Sequence, residues 1–575
     1  MDTPATLPPW ITGDPNTWTN ADRAVVLCDM ASFVPAEARS ERFKAGRWRV
    51  FSYEAGGLSG TMIYAVPEAK PPVVRVPLPV RGPHAISVGL FSSKPDGACR
   101  AWLRLSGDRC ALPRDSQPAI SQYWNIREVF YRVADLEGQT LEIGPQPGGI
   151  VPHCGVAFVK LIPLTDGEAA ALRRDREDRS HRNLAASCDG YSFIDLRGPT
   201  TIDEVLAEVE IFRDTDFGTL LLHLGGADQV TYPSAVGSWF AQGIDVFPLP
   251  GQRHFAHSVR TLAEKGINPT KTIIDGAHDL GMKVHVGIRP ALWGYYAPHT
   301  DVFQSPFYRD NPQWRLRDKD GLPVARMSWA VPEVRRHLLD VLREAIAFGA
   351  DGAHIVFNRG FPMVLYEPAF CELFRQRYGE DPLRLEEVDS RIQDLRREIV
   401  ATFMRELRVL LDEEQARRGD GRRLELSVCT LGIEEDNLRY AVDLRRLVRE
   451  GLVDEVYPYK YGFGESKRVW DMDYFNDACR SAGAKVFPMI SVYEAMEAHV
   501  RDVLPALEAG ADGLSIWDVA LHFGNIDQWP TIARLGRADE LRRRLDQGFL
   551  DPHGLRVHRL GEDIMDGRFP IFWGG

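Results

Sequence analysis

From about Phe43 to Pro163, apolar and polar residues alternate in short runs broken by Gly and Pro: "RWRVFSYEA", "GTMIYAVP", "VVRVPLPV", "HAISVGLFS", "RAWLRLSG", "REVFYRVADL", "TLEIGPQ" and "GVAFVKLIPL". A period of two puts one face of each run in a core and the other in water. The pattern therefore predicts an antiparallel β-sandwich over residues 43–164, preceded by an N-terminal extension, residues 1–42. "TDGEAAALRRDREDRSHRN" then changes to a charged, helical composition, and residues 165–182 read as a linker.

Beyond the linker, short apolar runs alternate with amphipathic helical stretches, the pattern of parallel strands covered by helices. Eight strands follow in order: "NLAASCDG", "GTLLLHLGGAD", "KVHVGIRP", "GAHIVFNRG", "LELSVCTL", "DEVYPYK", "KVFPMIS" and "GLSIWD". Eight strand–helix units over residues 183–541 predict a (β/α)8 TIM barrel with insertions, in an α/β chain. A doubly wound open sheet is the alternative. Residues 542–575 read as a C-terminal extension packing on the domains. "GADG" occurs twice, before the fourth and eighth strands, and predicts a helix end, a turn and a strand start, with Asp351 and Asp512 as turn and capping residues.

Composition narrows the class. A chain of 575 residues exceeds what one core supports, so two or more domains are expected. With 44% hydrophobic and 26% charged residues it reads as a globular protein, and no run approaches the roughly 20 apolar residues of a membrane helix. A formal charge of −12 argues against nucleic acid as the main partner. The first residues have neither a basic head nor an apolar core, so no signal peptide is expected, and the cytoplasm is the expected compartment. Eight cysteines without CxxC spacing do not make a disulfide scaffold, although Cys99 and Cys110 can face each other across a hairpin.

Barrel chemistry sits at the C-terminal ends of strands and in the loops after them. That rule selects Asp189, Asp228, Arg289, Asn358, Arg359, Glu367, Tyr459, Lys460, Glu494 and Asp518. Carboxylates from different strands, with arginines and an amide, are what glycosidic cleavage requires: one acid for the leaving oxygen, and one carboxylate to attack or to activate water. The long aromatic segment from Trp293 to Trp314 suits a binding wall for sugar rings, or packing between the domains. Counting back in twos from Arg289 and Asn358 puts His285 and His354 on the inward face, and His223 also lies within a strand. No carboxylate shares that face of those two strands, so no metal and no cofactor is expected.

These residues resemble a family. "SWAVPEVRRHLLDVLREAIAFGADGAHIVFNRG", followed by "LYEPAFCELFRQRYGEDP" and later "ALEAGADGLSIWD", resembles the barrel of the family-ten-like glycosyl hydrolases. "CELFRQRYGEDP" is also similar to a helix after the fourth strand in beta-galactosidase-type barrels. The resemblance covers about residues 183–541 and implies a glycoside hydrolase while leaving its substrate open. Relatives often carry acids in the fourth strand at positions matching His354 and Val356, whereas here the first carboxylate after that strand begins is Glu367.

The expected protein is thus a glycoside hydrolase acting on an oligo- or polysaccharide. Glu367 is the expected general acid/base and Glu494 the nucleophile or base, with Asp518 and Asp228 in reserve. Asp189, Arg289, Asn358, Arg359, Tyr459 and Lys460 hold the sugar, and Trp293 and Trp517 stack on it. Two arginines and Lys460 at the mouth either pair with local carboxylates, with Asp228 and Glu367 available, or hold an anionic sugar, a uronic acid or a sulfated residue. A non-catalytic carbohydrate-binding barrel, or an isomerase or aldolase using Lys460 or a histidine-bound metal, are the rival readings. Linkage, stereochemistry and oligomeric state are not readable from sequence.

Overall fold

A computed structural model describes residues 7–91, 99–116, 124–146, 152–294, 302–460, 467–492, 496–518, 529–549, 554–561 and 563–564. The eight apolar runs of the second half form eight parallel strands. They are Leu184–Cys188, Phe217–His223, Lys283–Ile288, Gly352–Val356, Glu425–Leu431, Glu455–Tyr459, a seventh in two pieces (Lys485–Val486 and Met489–Ile490), and Leu514–Ile516. Each pairs with the next, and the eighth returns to the first with Leu514 opposite Leu184. A closed ring has no edge strand, which excludes the open-sheet alternative. The seventh strand breaks at Pro488, which has no N–H to give the ladder, although its carbonyl still accepts from Ser515 N at 2.9 Å.

Helices cover the barrel through one apolar face each. The helix Pro332–Ile346, for example, buries Val334, Leu338, Val341, Leu342, Ala345 and Ile346, the 3–4 spacing of a single stripe. The "GADG" pairs are architectural. Asp351 accepts from the Val284 N–H of the preceding strand at 2.8 Å, Asp512 does the same with Val486 at 2.8 Å, and Asp454 repeats it with Leu426 at 2.8 Å. The following glycines are required by close approach: a Cβ on Gly352 would lie 2.2 Å from the Glu425 carbonyl oxygen, and one on Gly513 1.9 Å from that of Asn183.

The N-terminal half contains two antiparallel assemblies that share a hydrophobic core. A four-stranded sheet is ordered Val74–Pro77, Thr140–Gly144, Cys99–Leu105, Leu112–Ser116. It faces a larger sheet built on Trp48–Ala55, Leu58–Ala65, Cys154–Pro163, Pro83–Phe91 and Asn125–Asp135, with Val76, Leu103 and Ile143 meeting the cluster that holds Ile86, Val88 and Val159. The larger sheet departs from the expected boundaries. The C-terminal strand Gly554–Leu560 pairs with both Asn125–Asp135 and Trp48–Ala55, closing six strands into a ring around Tyr53, Met62, Tyr64, Phe91, Trp124, Phe158, Val557 and Leu560. Val25–Leu27, from the N-terminal extension, pairs with Cys154–Pro163. Cys99 stands opposite Ser116 in its hairpin and Cys110 lies in the turn at the other end, so register keeps them apart and all eight cysteines are free.

The linker is the helix Asp166–Glu177, started by a capping box between Thr165 and Glu168. Its Asp175 receives Arg534 at 2.6 and 2.9 Å and Arg537 at 2.9 Å, and Arg537 also forks onto Asp216, just before the second barrel strand, at 2.6 Å through each nitrogen. Among the described residues, no helix is long and apolar enough to cross a membrane.

Candidate active site

The C-terminal mouth of the barrel is organised around Trp517, the residue after the eighth strand. Tyr459, at the end of the sixth strand, stacks on its indole with centroids 5.2 Å apart and planes at 11°. The Arg289 guanidinium, one residue beyond the third strand, lies 5.6 Å from the ring centroid, and that of Arg359, beyond the fourth, lies 5.2 Å from it. His223, the last residue of the second strand, meets the same ring at 5.4 Å. The predicted residues Arg289, Arg359, Tyr459 and Trp517 therefore converge. Asp189, at the end of the first strand, joins them with Oδ2 3.6 Å from Arg289 Nη2. Asp518, next after Trp517, is buried and has φ +45°, a left-handed conformation uncommon outside glycine.

Below the mouth, the interior carries a polar column. At the N-terminal end Lys283 Nζ bonds both Glu425 and Glu455, and Tyr457 donates to Glu455 at 2.6 Å. His285 bridges Glu425 (3.1 Å) and the Ser427 hydroxyl (2.9 Å), and the same hydroxyl takes His354 Nδ1 at 2.8 Å. His354 in turn lies parallel to His223, 5.5 Å away at 3°. Burial, reinforced by the nearby His285, pushes His354 down to about 3. Burial, with Arg289, His354 and Arg359 around it, holds His223 well below the usual imidazole range, so both are neutral near pH 7.

The two ends of this column differ. The lower groups are tied to one another. At the upper end, both ring nitrogens of His223, His354 Nε2, Arg289 Nε and Nη2, both amide atoms of Asn358 and the Thr430 hydroxyl are buried without a hydrogen-bond partner. Buried polar groups are normally satisfied, so a concentration of open ones marks where a ligand or water belongs. His285, Glu425 and Glu455 have ligand atoms mutually within 4.8 Å, but Lys283 already supplies the cation between the two carboxylates. Sequence reasoning missed this cluster because its carboxylates come from the fifth and sixth strands. Counting in twos back from Arg289 and Tyr459 reaches Lys283 and Glu455.

Several predicted residues lie elsewhere. Glu367 is 1% exposed, with one carboxylate oxygen on the Ser328 hydroxyl and the other on Leu365 N at 3.0 Å. Burial pushes its carboxyl up, and it brackets two loops instead of facing the mouth. Asp228 turns outward to His337 of the covering helix, 3.1 Å away. Lys460 bonds Asp502 of the helix Met496–Glu508 and lies 3.7 Å over the Trp470 ring, which turns its ammonium away from a substrate and from the Schiff-base role of the aldolase reading. Trp293 is fully buried beside Phe307 and His337, so its faces serve packing and not sugar stacking. Trp517 is 2% exposed, and its neighbours leave it a support for the arginines more than an open platform. Asn358 is at the rim as expected, in the turn Phe357–Arg359. Glu494 lies outside the described residues.

The fold and mouth define a (β/α)8 barrel with buried, unpartnered polar groups gathered at its C-terminal end. No protein-family profile matches the chain, and no curated protein matches its sequence. Among solved structures, it is similar to an alpha-galactosidase from Thermus thermophilus at 15% identity, covering 85% of this chain and 95% of that one, with a TM-score of 0.33. The catalytic domain of a beta-amylase from Paenibacillus polymyxa is similar at 8% identity, covering 63% and 99%, with a TM-score of 0.37. The glycoside hydrolase domain of PelA from Pseudomonas aeruginosa is similar at 13% identity, covering 59% and 96%, with a TM-score of 0.30. At these scores the likenesses carry no argument about activity, and the barrel stands on its own strand pairings.

Proposed function

We propose that the chain is a glycoside hydrolase whose substrate, an oligo- or polysaccharide, enters the C-terminal mouth of the barrel, where Trp517 supports the binding arginines. The observation that supports this most is the set of buried, unpartnered donors and acceptors at that end, next to a carboxylate in a left-handed conformation. Sugars present many hydroxyls at fixed angles, and a pocket that rewards them needs open donors and acceptors held in place. Cleavage needs a carboxylic acid to protonate the leaving oxygen and a carboxylate to attack the anomeric carbon or deprotonate water. Asp518 takes one of these roles. Glu494, four positions beyond the seventh strand, is the sequence candidate for the other. Asp189 is held by Tyr191 N at 2.9 Å, Ser192 N at 2.6 Å and the Ser192 hydroxyl, which suits it to orient Arg289. The two guanidinium groups on Trp517 favour a glycan that carries negative charge.

The test is a panel of neutral and acidic glycans with product analysis, run on the wild type, Asp518→Asn and Glu494→Gln. Each substitution should leave the melting temperature near that of the wild type and reduce kcat by 100-fold or more. Full turnover in both variants rules out the assignment. The placement of Glu367 and Asp228 away from the mouth favours one second reading, a barrel that binds a glycan without cleaving it. Binding with no product from any panel member would establish it.

A further inference from the structure

We infer that the mouth contains a carboxylate subsite, built on the unpartnered Nε and Nη2 edge of the Arg289 guanidinium, that selects hexuronate residues. The inference rests on the glycan reading above and narrows its negative charge to one chemical group. Elsewhere in this chain, arginines use their Nε and Nη2 hydrogens as a side-on fork for a carboxylate. Arg100 holds Asp115 at 2.7 and 2.7 Å, Arg335 holds Glu406 at 2.8 and 2.9 Å, and Arg537 holds Asp216 at 2.6 and 2.6 Å. In Arg289 the same two nitrogens are buried and have no hydrogen-bond partner. The adjacent Asp189 does not fill the fork. Its Oδ2 stays 3.6 Å from Nη2, beyond hydrogen-bond reach, while its oxygens take the Tyr191 and Ser192 donors.

Three features hold this fork ready. The side chain is 9% exposed and lies on the Trp517 ring, so little freedom remains to be lost when a ligand seats. A second guanidinium, Arg359, shares that ring and adds positive potential. On the neighbouring strand, in register with Ile288 opposite Ile355, the Asn358 amide is 5% exposed with both its oxygen and its nitrogen unpartnered. Such an amide donates to a carboxylate or ring oxygen and accepts from a hydroxyl, which a bare anion site does not require. A planar fork matches a carboxylate in two-point contact but also accepts a tetrahedral oxyanion, so a sulfate probe separates the two.

Binding, independent of turnover, decides the matter. Glucuronate, galacturonate and mannuronate disaccharides are titrated calorimetrically against their methyl esters, which keep the sugar and remove the charge. Glucose 6-sulfate serves as the sulfate probe. At least one acid should bind tenfold or more tightly than its ester, this ratio should shrink between about 50 and about 500 mM salt, and Arg289→Lys should abolish it by keeping the charge and losing the fork. Equal binding of acids and esters by the wild type, retention of the ratio in Arg289→Lys, or an equal preference for glucose 6-sulfate overturns the subsite. The wild-type comparisons stand even if the variant fails to fold. Acid-selective binding without hydrolysis removes the hydrolase and leaves the subsite. Hydrolysis of neutral glycans without acid selectivity does the reverse.

Discussion

Replacing Glu425 by Gln tests whether the lower end of the barrel is held by charge. Glu425 opens the fifth strand and ties two others: Lys283 and His285 of the third bond it directly, and Lys283 joins it to Glu455 of the sixth. Burial alone would push its carboxyl up. The hydrogen bonds and charges of His285 and Lys283 outweigh burial and hold it at about 2 against an ordinary 4.5. Because the folded value is depressed, the unfolded chain binds the proton more readily. The stabilisation is therefore complete above 4.5 and is lost as pH falls through 2. At about 1.4 kcal/mol per pH unit the difference amounts to about 3 kcal/mol at pH 7, about 1.4 at pH 3 and about 0.4 at pH 2. Urea unfolding of both proteins, followed by tryptophan fluorescence at several pH values, should show the wild type more stable at pH 7 and the two curves converging toward pH 3 and below. A gap that stays constant with pH, or no gap at pH 7, would refute the electrostatic account and leave packing as the cause.

Removing residues 550–575 should open the six-stranded ring of the N-terminal half. Loss of the buried Val557 and Leu560 side chains alone costs about 3 to 6 kcal/mol, read as a lower melting temperature and increased binding of a hydrophobic dye; an unchanged melting temperature would show that the strand is dispensable. Glu367→Ala should lower stability by about 1 to 3 kcal/mol by leaving the Leu365 N–H and the Ser328 hydroxyl without their acceptor, with kcat per folded molecule preserved. A stable but inactive Glu367→Ala protein would return that residue to catalysis.

Local pattern sufficed for the barrel because each strand–helix unit satisfies itself within about 40 residues, and the strand period and helix stripe are both visible at that range. It failed where partners are distant. The strand Gly554–Leu560 pairs with Trp48–Ala55 some 500 residues earlier, and nothing in its own alternation says which edge it will cover. Site residues divided by the same logic. Positions at or next to a strand end, such as Arg289, Tyr459 and Trp517, have their direction set by the two-residue period and converged. Asp228 and Glu367 lie five and eleven residues past their strands, where the loop decides direction, and both turned into the wall.

If the mouth binds hexuronates as proposed, its arrangement would also tie recognition to chemistry. Arg289 rests on the ring of Trp517, and Asp518 is the next residue in the chain, so the fork and the carboxylate are connected through a single stacked side chain. In a hexuronate the carboxylate hangs from C5, and C5 is joined to the anomeric carbon through the ring oxygen. On the proposed reading, seating the carboxylate in the fork would hold the anomeric carbon one sugar ring away from the fork, on the side where Asp518 is proposed to act. A neutral hexose in the same site offers only a hydroxymethyl group at C5, without the charge that fills the fork, so its anomeric carbon is held less firmly in line. Binding energy spent on the carboxylate is thus converted into orientation, so removal of the fork should be felt in kcat as well as in KM. A merely electrostatic attraction to the mouth would appear in KM alone.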